Sequence, residues 1–277
     1  MKLKTKIILS SLTTSLSLFL IGRFADTKTH GFSYLNFKIS PPSQSYIEQE
    51  LTSDVLSILS GRFTYLAHGG ESMVFESEDK KWVLKFCKRN RIDPLKPLQF
   101  LRIIPFLDSY LYERTRVHER YFHSLKVQAT RLKDLSFVSF IHFPSAIKKG
   151  PIIELVDPIG TVHKFDTTKL SFSLQRKGEL FRTVFLRQES LDEKKKMLIK
   201  LVTFYKELEK RGVKIWDNAI SRNMGWIDGE PFLIDAGSIC DKPAHETFEQ
   251  NVKYLKTWVI KYEPMLTDFV LDLITSK

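Results

Sequence analysis

Asp217, Asn223 and Asp235 are oxygen-bearing side chains spaced through residues 212–239, GVKIWDNAISRNMGWIDGEPFLIDAGSI, among apolar neighbours. Magnesium and similar hard cations take oxygen ligands, typically one or two protein carboxylates completed by water and substrate phosphates. Asn223 in a loop and Asp235 at a strand end suit such an ion, which leaves Asp217 to accept a proton from a hydroxyl. The apolar run Pro231–Ile234 follows the turn-prone pair Asp228-Gly229 and reads as the strand that delivers Asp235 to its end. The plainer alternative is an α+β protein in which these residues only form polar turns. That alternative predicts that Lys85 and Asp235 lie far apart.

Lys85 belongs to a second constellation, residues 63–86, FTYLAHGGESMVFESEDKKWVLKF. Two alternating stretches flank a polar turn at Ser77–Lys81, a hairpin pattern. Gly69-Gly70 stands at the strand entry, and Lys85 sits among Val83, Leu84 and Phe86. A lysine in an apolar strand is by itself most often an edge residue with a solvated head. The order of Lys85 before Asp217, Asn223 and Asp235 is what gives it weight.

Glycine hairpin, lysine strand, Asp, Asn and Asp-x-Gly in this order resemble the protein-kinase-like phosphotransferase superfamily, which includes aminoglycoside and lipopolysaccharide-core kinases. The resemblance implies an α+β, two-lobed kinase-like fold with a small antiparallel-sheet N-lobe and a truncated helical C-lobe. It further implies Gly69, Gly70 and Lys85 on ATP phosphates, Asp217 as catalytic base, and Asn223 and Asp235 on magnesium. In that family a helix after the lysine strand carries a lysine-pairing glutamate, for which Glu119 and Glu113 are candidates and Glu119 lies nearer the apolar face. Departures accompany the match: six residues rather than five separate Asp217 from Asn223, Ile215 replaces a His or Tyr, and GGESMV is sparse in glycine. No Ala-Pro-Glu motif follows Asp235, and only 42 residues remain.

Several elements must position these side chains. Residues 45–59 repeat apolar positions at helical spacing, as do 106–132 and 191–208, the last stopped by Gly212. Ile152–Val156 and Thr161–Phe165 are joined by Asp157-Pro158-Ile159-Gly160, a turn sequence. Leu170–Gln175 reads as a further strand broken by Arg176-Lys177-Gly178, where the resemblance places the hinge and the adenine. Two short helical patterns, 244–262 and 264–274, close the chain. The divisions expected are an N-terminal segment over 1–24, a linker over 25–44, an N-lobe over 45–178 and a C-lobe over 179–277.

The remaining features bear on partners. With 43 basic against 32 acidic residues the formal charge is +11, which favours anionic partners, although the scattered charges also suit an ordinary basic surface. Aromatic and basic residues show no RRM-like or zinc-finger pattern, so no nucleic-acid partner is expected. Lys2, Lys4 and Lys6 precede sixteen uncharged residues, Ile7–Gly22, six of them Ser or Thr. This run is expected as a hydrophobic helix anchoring the chain in a membrane through 7–22, with a cleaved secretory signal as the alternative and the side of the membrane open. Cys87 and Cys240 lack zinc-type spacing and default to free thiols. Two functions remain in competition: an ATP- and magnesium-dependent phosphotransferase acting on a hydroxyl, and a catalytically inactive, membrane-tethered pseudokinase that scaffolds a protein partner.

Overall fold

Side chains alternate between buried and open through residues 62–87, and this period of two builds the first three strands. The computed structural model describes residues 2–144, 150–215, 220–235, 239–240 and 247–275. The chain opens with α1 (Lys2–Thr29), α2 (Tyr34–Phe37) and α3 (Ser53–Leu59), then β1 (Arg62–His68), β2 (Ser72–Ser77) and β3 (Trp82–Cys87). The turn α4 (Arg89–Ile92) leads to the long helix α5 (Pro105–Thr130), α6 (Lys133–Ser136) and β4 (Val138–His142). After β5 (Ile152–Val156), β6 (Val162–Asp166) and β7 (Phe172–Arg176), the short β8 (Glu179–Leu180) enters a helical half. That half comprises α7 (Phe181–Arg187), α8 (Leu191–Lys210), β9 (Lys214–Ile215), α9 (Ile220–Asn223), β10 (Met224–Ile227), β11 (Glu230–Leu233), β12 (Ile239–Cys240), α10 (Thr247–Tyr262) and α11 (Thr267–Thr275).

Among the described residues, seven strands form one sheet in the order β4-β7-β3-β2-β1-β5-β6. An antiparallel sheet was expected, but β1 and β5 pair in parallel, so the sheet is mixed. The cause is topological: β2, β3, α5 and β4 intervene between these strands, a connection long enough for a parallel crossover. The turn between β2 and β3 is closed by Ser77, whose hydroxyl donates to Asp79 Oδ1 at 2.6 Å and accepts from the Trp82 amide at 3.0 Å. In the β5–β6 turn Asp157 Oδ1 accepts from the amides of Ile159 and Thr161, and Gly160 takes the positive φ of 88°.

Two apolar bodies flank the cleft described below. Phe63, Phe75, Phe86, Phe140 and Phe172 fill the sheet side, while Phe181, Phe185, Leu198, Leu201, Tyr205 and Leu255 fill the helical side. Helix α8 starts at Ser190, which accepts from the Glu193 amide, and stops at Gly212 with a φ of 64°. The closing bonds, Val213 N–H to Leu208 O and Gly212 N–H to Glu209 O, are those of a glycine-terminated helix end.

Two segments depart from the sequence-based expectations. The helix expected over 45–59 is confined to Ser53–Leu59, capped by Thr52. Just before it, Gln49 Oε1 accepts from the Ile141 amide at 2.6 Å, so this stretch covers a strand edge instead of coiling. Residues 25–44, expected as a linker, bury Phe37 completely and stack it on Phe86 at 4.6 Å between centroids. At the N-terminus α1 runs to Thr29, and among the described residues no helix is long and apolar enough to cross a membrane.

Candidate functional site

Lys85 stands in β3 between Leu84 and Phe86, and the pleat that buries those neighbours turns Lys85 to the other face, into a cleft of about 530 Å³. Gly69, Gly70, Asn223 and Asp235 line the same cleft, although they are far apart in sequence. The β2–β3 register places Val74 opposite Lys85, and the turn 69–72 is closed by the Gly69 amide donating to Ser72 O at 2.9 Å. Neither glycine has a positive φ, and a Cβ at Gly70 would meet nothing within 4 Å. What they provide is an open rim free of side chains, not a special turn geometry.

Asp235 is delivered by the hairpin β10–β11, whose turn residues Asp228 and Gly229 have φ values of 52° and 81°. Two positive φ angles are the requirement of a two-residue hairpin turn, and Asp-Gly meets it. Just past β11, the Ile234 amide donates to Asn223 O at 2.9 Å, which holds the segment before Asp235 against the end of α9. Asn223 is buried and Asp235 is exposed to the cleft. Lys85 Nζ donates to the Ile234 carbonyl, one residue from Asp235. The turn-former reading therefore fails, because it required Lys85 and Asp235 to lie far apart.

The electrostatics follow from this packing. Lys85 is half-buried, and the surrounding protein desolvates its ammonium. Burial lowers its pKa from 10.5 to about 8, and the Asp235 carboxylate opposes that shift. Lys88, Arg176, Lys177 and Arg222 are close by, the last three lining the cleft, and Lys88 Nζ donates to Gly69 O at 3.0 Å. Such a wall favours a polyanion. Burial also pushes the Cys87 thiol up to about 12, which makes it inert and leaves it a small hydrophobe hydrogen-bonded to Tyr121.

Asp217 lies outside the described residues. Glu119 is exposed on α5 and does not line the cleft, so the expected pairing with Lys85 is not formed. The buried face of α5 passes through His118, Tyr121, Phe122 and Leu125, and one residue advances a helix by about 100°. Glu119 is thereby rotated away from the cleft wall, and its neighbour Arg120 faces the hairpin. Its Nη2 donates to Glu71 Oε1 at 2.9 Å.

Other residues of the site were not singled out from sequence. Gln175 is fully buried at the inner end of the cleft, and its amide donates to Ser136 O at 2.5 Å and Leu233 O at 2.8 Å. Phe232 forms part of the floor, pressed so closely on Gly178 and Gly225 that a Cβ there would stand 2.5 Å and 2.1 Å from its ring. Val74 and Val83 contribute apolar walls. Only the break at Arg176-Lys177-Gly178 pointed to this end of the cleft.

The donor set suits magnesium: one amide oxygen and one carboxylate are about the number that ion takes from protein. Among the described residues no group of three His, Cys, Asp or Glu side chains could hold a metal ion, so phosphate oxygens and water would complete the shell.

No protein-family model and no curated protein matches the chain. Among solved structures it is similar to monomeric WbdD at 18% identity and a TM-score of 0.37, covering 75% of this chain and 45% of that one. The bifunctional kinase-methyltransferase WbdD is similar at 15% identity and a TM-score of 0.36, over 70% of this chain and 34% of that one. The Rv3197–erythromycin complex from Mycobacterium tuberculosis is similar at 14% identity and a TM-score of 0.37, over 81% and 56%. The chain thus spans less than two thirds of each, and TM-scores of this size carry neither a fold nor an activity over to it.

Proposed function

We propose that the chain is a two-lobed, kinase-like nucleotide-binding protein that transfers the ATP γ-phosphate to a hydroxyl acceptor. The observation that supports this reading is the convergence of Gly69, Gly70, Lys85, Asn223 and Asp235 on one cleft with a basic wall. Val74 and Val83 suit the faces of a planar base, and Lys85 suits the phosphates. Asn223 and Asp235 would hold magnesium, whose charge offsets that of the phosphates when bound. Asp217 is proposed as the base: the acceptor oxygen bonds to the γ-phosphorus, the bond to the β-phosphate oxygen breaks, ADP leaves, and Asp217 takes the hydroxyl proton. Catalysis of this kind is mainly positioning and charge neutralisation. Incubation with magnesium, ATP and a panel of sugar, lipid and small-molecule hydroxyl acceptors tests the transfer. Label appearing on an acceptor, and lost in Asp235→Ala, supports it.

A second reading, an inactive pseudokinase that binds a partner, is favoured by the exposed Glu119 and by Lys85 Nζ already bonded to the Ile234 carbonyl. Nucleotide binding without transfer to any acceptor would favour it. Membrane contact through residues 7–22 is a separate proposal, supported by the exposure of Leu16, Leu18, Phe19, Leu20 and Ile21 on α1.

A further inference from the structure

We propose that Arg120 is a positioning residue of the cleft, with α5 acting as a rod between the glycine turn and the Asp235 segment. Its effect on ligand rests on the nucleotide reading above; its effect on the turn does not. Arg120 Nη2 reaches Glu71, the residue that follows Gly69-Gly70. One helical turn further along α5, the buried Ser124 hydroxyl lies 3.0 Å from Ile239 O and 3.1 Å from Ile239 N. That residue stands four positions beyond Asp235. Residues 120 and 124 share one face of a helix. A displacement of the turn is therefore carried by a rigid element to the chain that follows Asp235, and the reverse also holds.

The pair has the marks of a device kept for placement. The two side chains are only 33% and 28% exposed, and the Arg120 Nε is buried with no hydrogen-bond partner, an arrangement that stability alone disfavours. Burial pushes the Glu71 carboxyl up, and the Arg120 guanidinium opposes that shift. The polarity is the reverse of the Glu119–Lys85 pair expected from sequence: the acid sits on the turn and the base on the helix. Lys85 is left to face the Asp235 side. A second tie, Lys88 Nζ to Gly69 O, holds the turn from its other side, at the start of α4 and not on α5.

The test uses the full chain as wild type, Arg120→Ala, Glu71→Gln, Glu119→Ala, and the exchanged pair Glu71→Arg with Arg120→Glu. Amide hydrogen exchange is followed over residues 68–73 without ligand, and magnesium-ATP affinity is measured in parallel. In Arg120→Ala and in Glu71→Gln, exchange in the turn should rise about tenfold and affinity fall about tenfold, the size of a charge-assisted hydrogen bond. Glu119→Ala should change neither, and the exchanged pair should recover most of both. Unchanged exchange in Glu71→Gln, a substitution at the rim that leaves the core intact, would overturn the proposal, as would an exchanged pair no better than its single variants. A wild type that binds no nucleotide while the exchange pattern holds would sink the nucleotide reading and leave the Arg120–Glu71 positioning of the turn standing.

Discussion

Lys85 concentrates the conflict between folding and function at the residue scale. Its pKa of about 8 lies below the ordinary 10.5, so between these values the folded chain binds fewer protons than the unfolded one. Stability contributed by this group therefore rises with pH across that window, and the cost of its buried charge is present in full below pH 8. At 1.36 kcal/mol per unit, that cost is on the order of 3 kcal/mol. Lys85→Met should raise the melting temperature of the ligand-free protein at pH 7, by roughly 1–2 kcal/mol of stability once the lost bond to Ile234 O is counted. The gain should fade as pH approaches 10.5, and ATP affinity should be lost at every pH. In the wild type, ATP affinity should weaken as pH rises through about 8, where the ammonium loses its proton. A destabilised Lys85→Met would contradict this account of the lysine. Lys85 was legible in sequence through its order before Asp217, Asn223 and Asp235, since a lysine in an apolar strand is by itself most often an edge residue. Arg120 was not: adjacent helical residues differ by about 100° in direction, and without the register of α5 against the hairpin, Glu119 and Arg120 could not be told apart.

The elements that present these residues differ in how tightly they are held. Gly178→Ala would drive a Cβ to 2.5 Å from the Phe232 ring and 2.7 Å from the Trp226 carbonyl. It should cost about 1–3 kcal/mol in chemical denaturation, the range of an overpacked core. Gly70→Ala enters open space and should leave stability unchanged, so any loss of nucleotide affinity there would report crowding of the ligand. Gln175→Leu removes both bonds that tie β7 to Ser136 and Leu233, and should cost about 1–3 kcal/mol because two carbonyls are stranded. The turns at Ser77–Lys81, Asp157–Gly160 and Asp228-Gly229 were readable because their residues carry the required hydrogen bonds or positive φ locally. The parallel pairing of β1 with β5 was not, since it depends on where the chain returns after β2, β3, α4, α5, α6 and β4. The pattern over 45–59 misled for a related reason: its apolar positions pack at helical spacing only from Ser53 onward, and Gln49 is drawn off to the Ile141 amide.

At the scale of the whole molecule, a sheet body and a helical body enclose a basic cleft, in keeping with the net charge of +11. Sequence order carried most of this arrangement, because the break at 176–178 and the Asp-Gly hairpin bracket the passage from strands to helices. The N-terminus was less legible, as hydropathy describes a run without saying what covers it. Co-sedimentation with anionic phospholipid vesicles tests the contact proposed for residues 7–22. Binding by the full chain that is lost in Leu18→Asp with Phe19→Asp would support it, and equal sedimentation of both would remove it. The measurement that bears most directly on the central claim is calorimetric titration of the full chain with ATP, with and without magnesium, alongside Asp235→Ala. The account predicts saturable binding that requires magnesium and is lost in the variant. Binding indifferent to magnesium and to Asp235, or no binding by a folded chain, would contradict it.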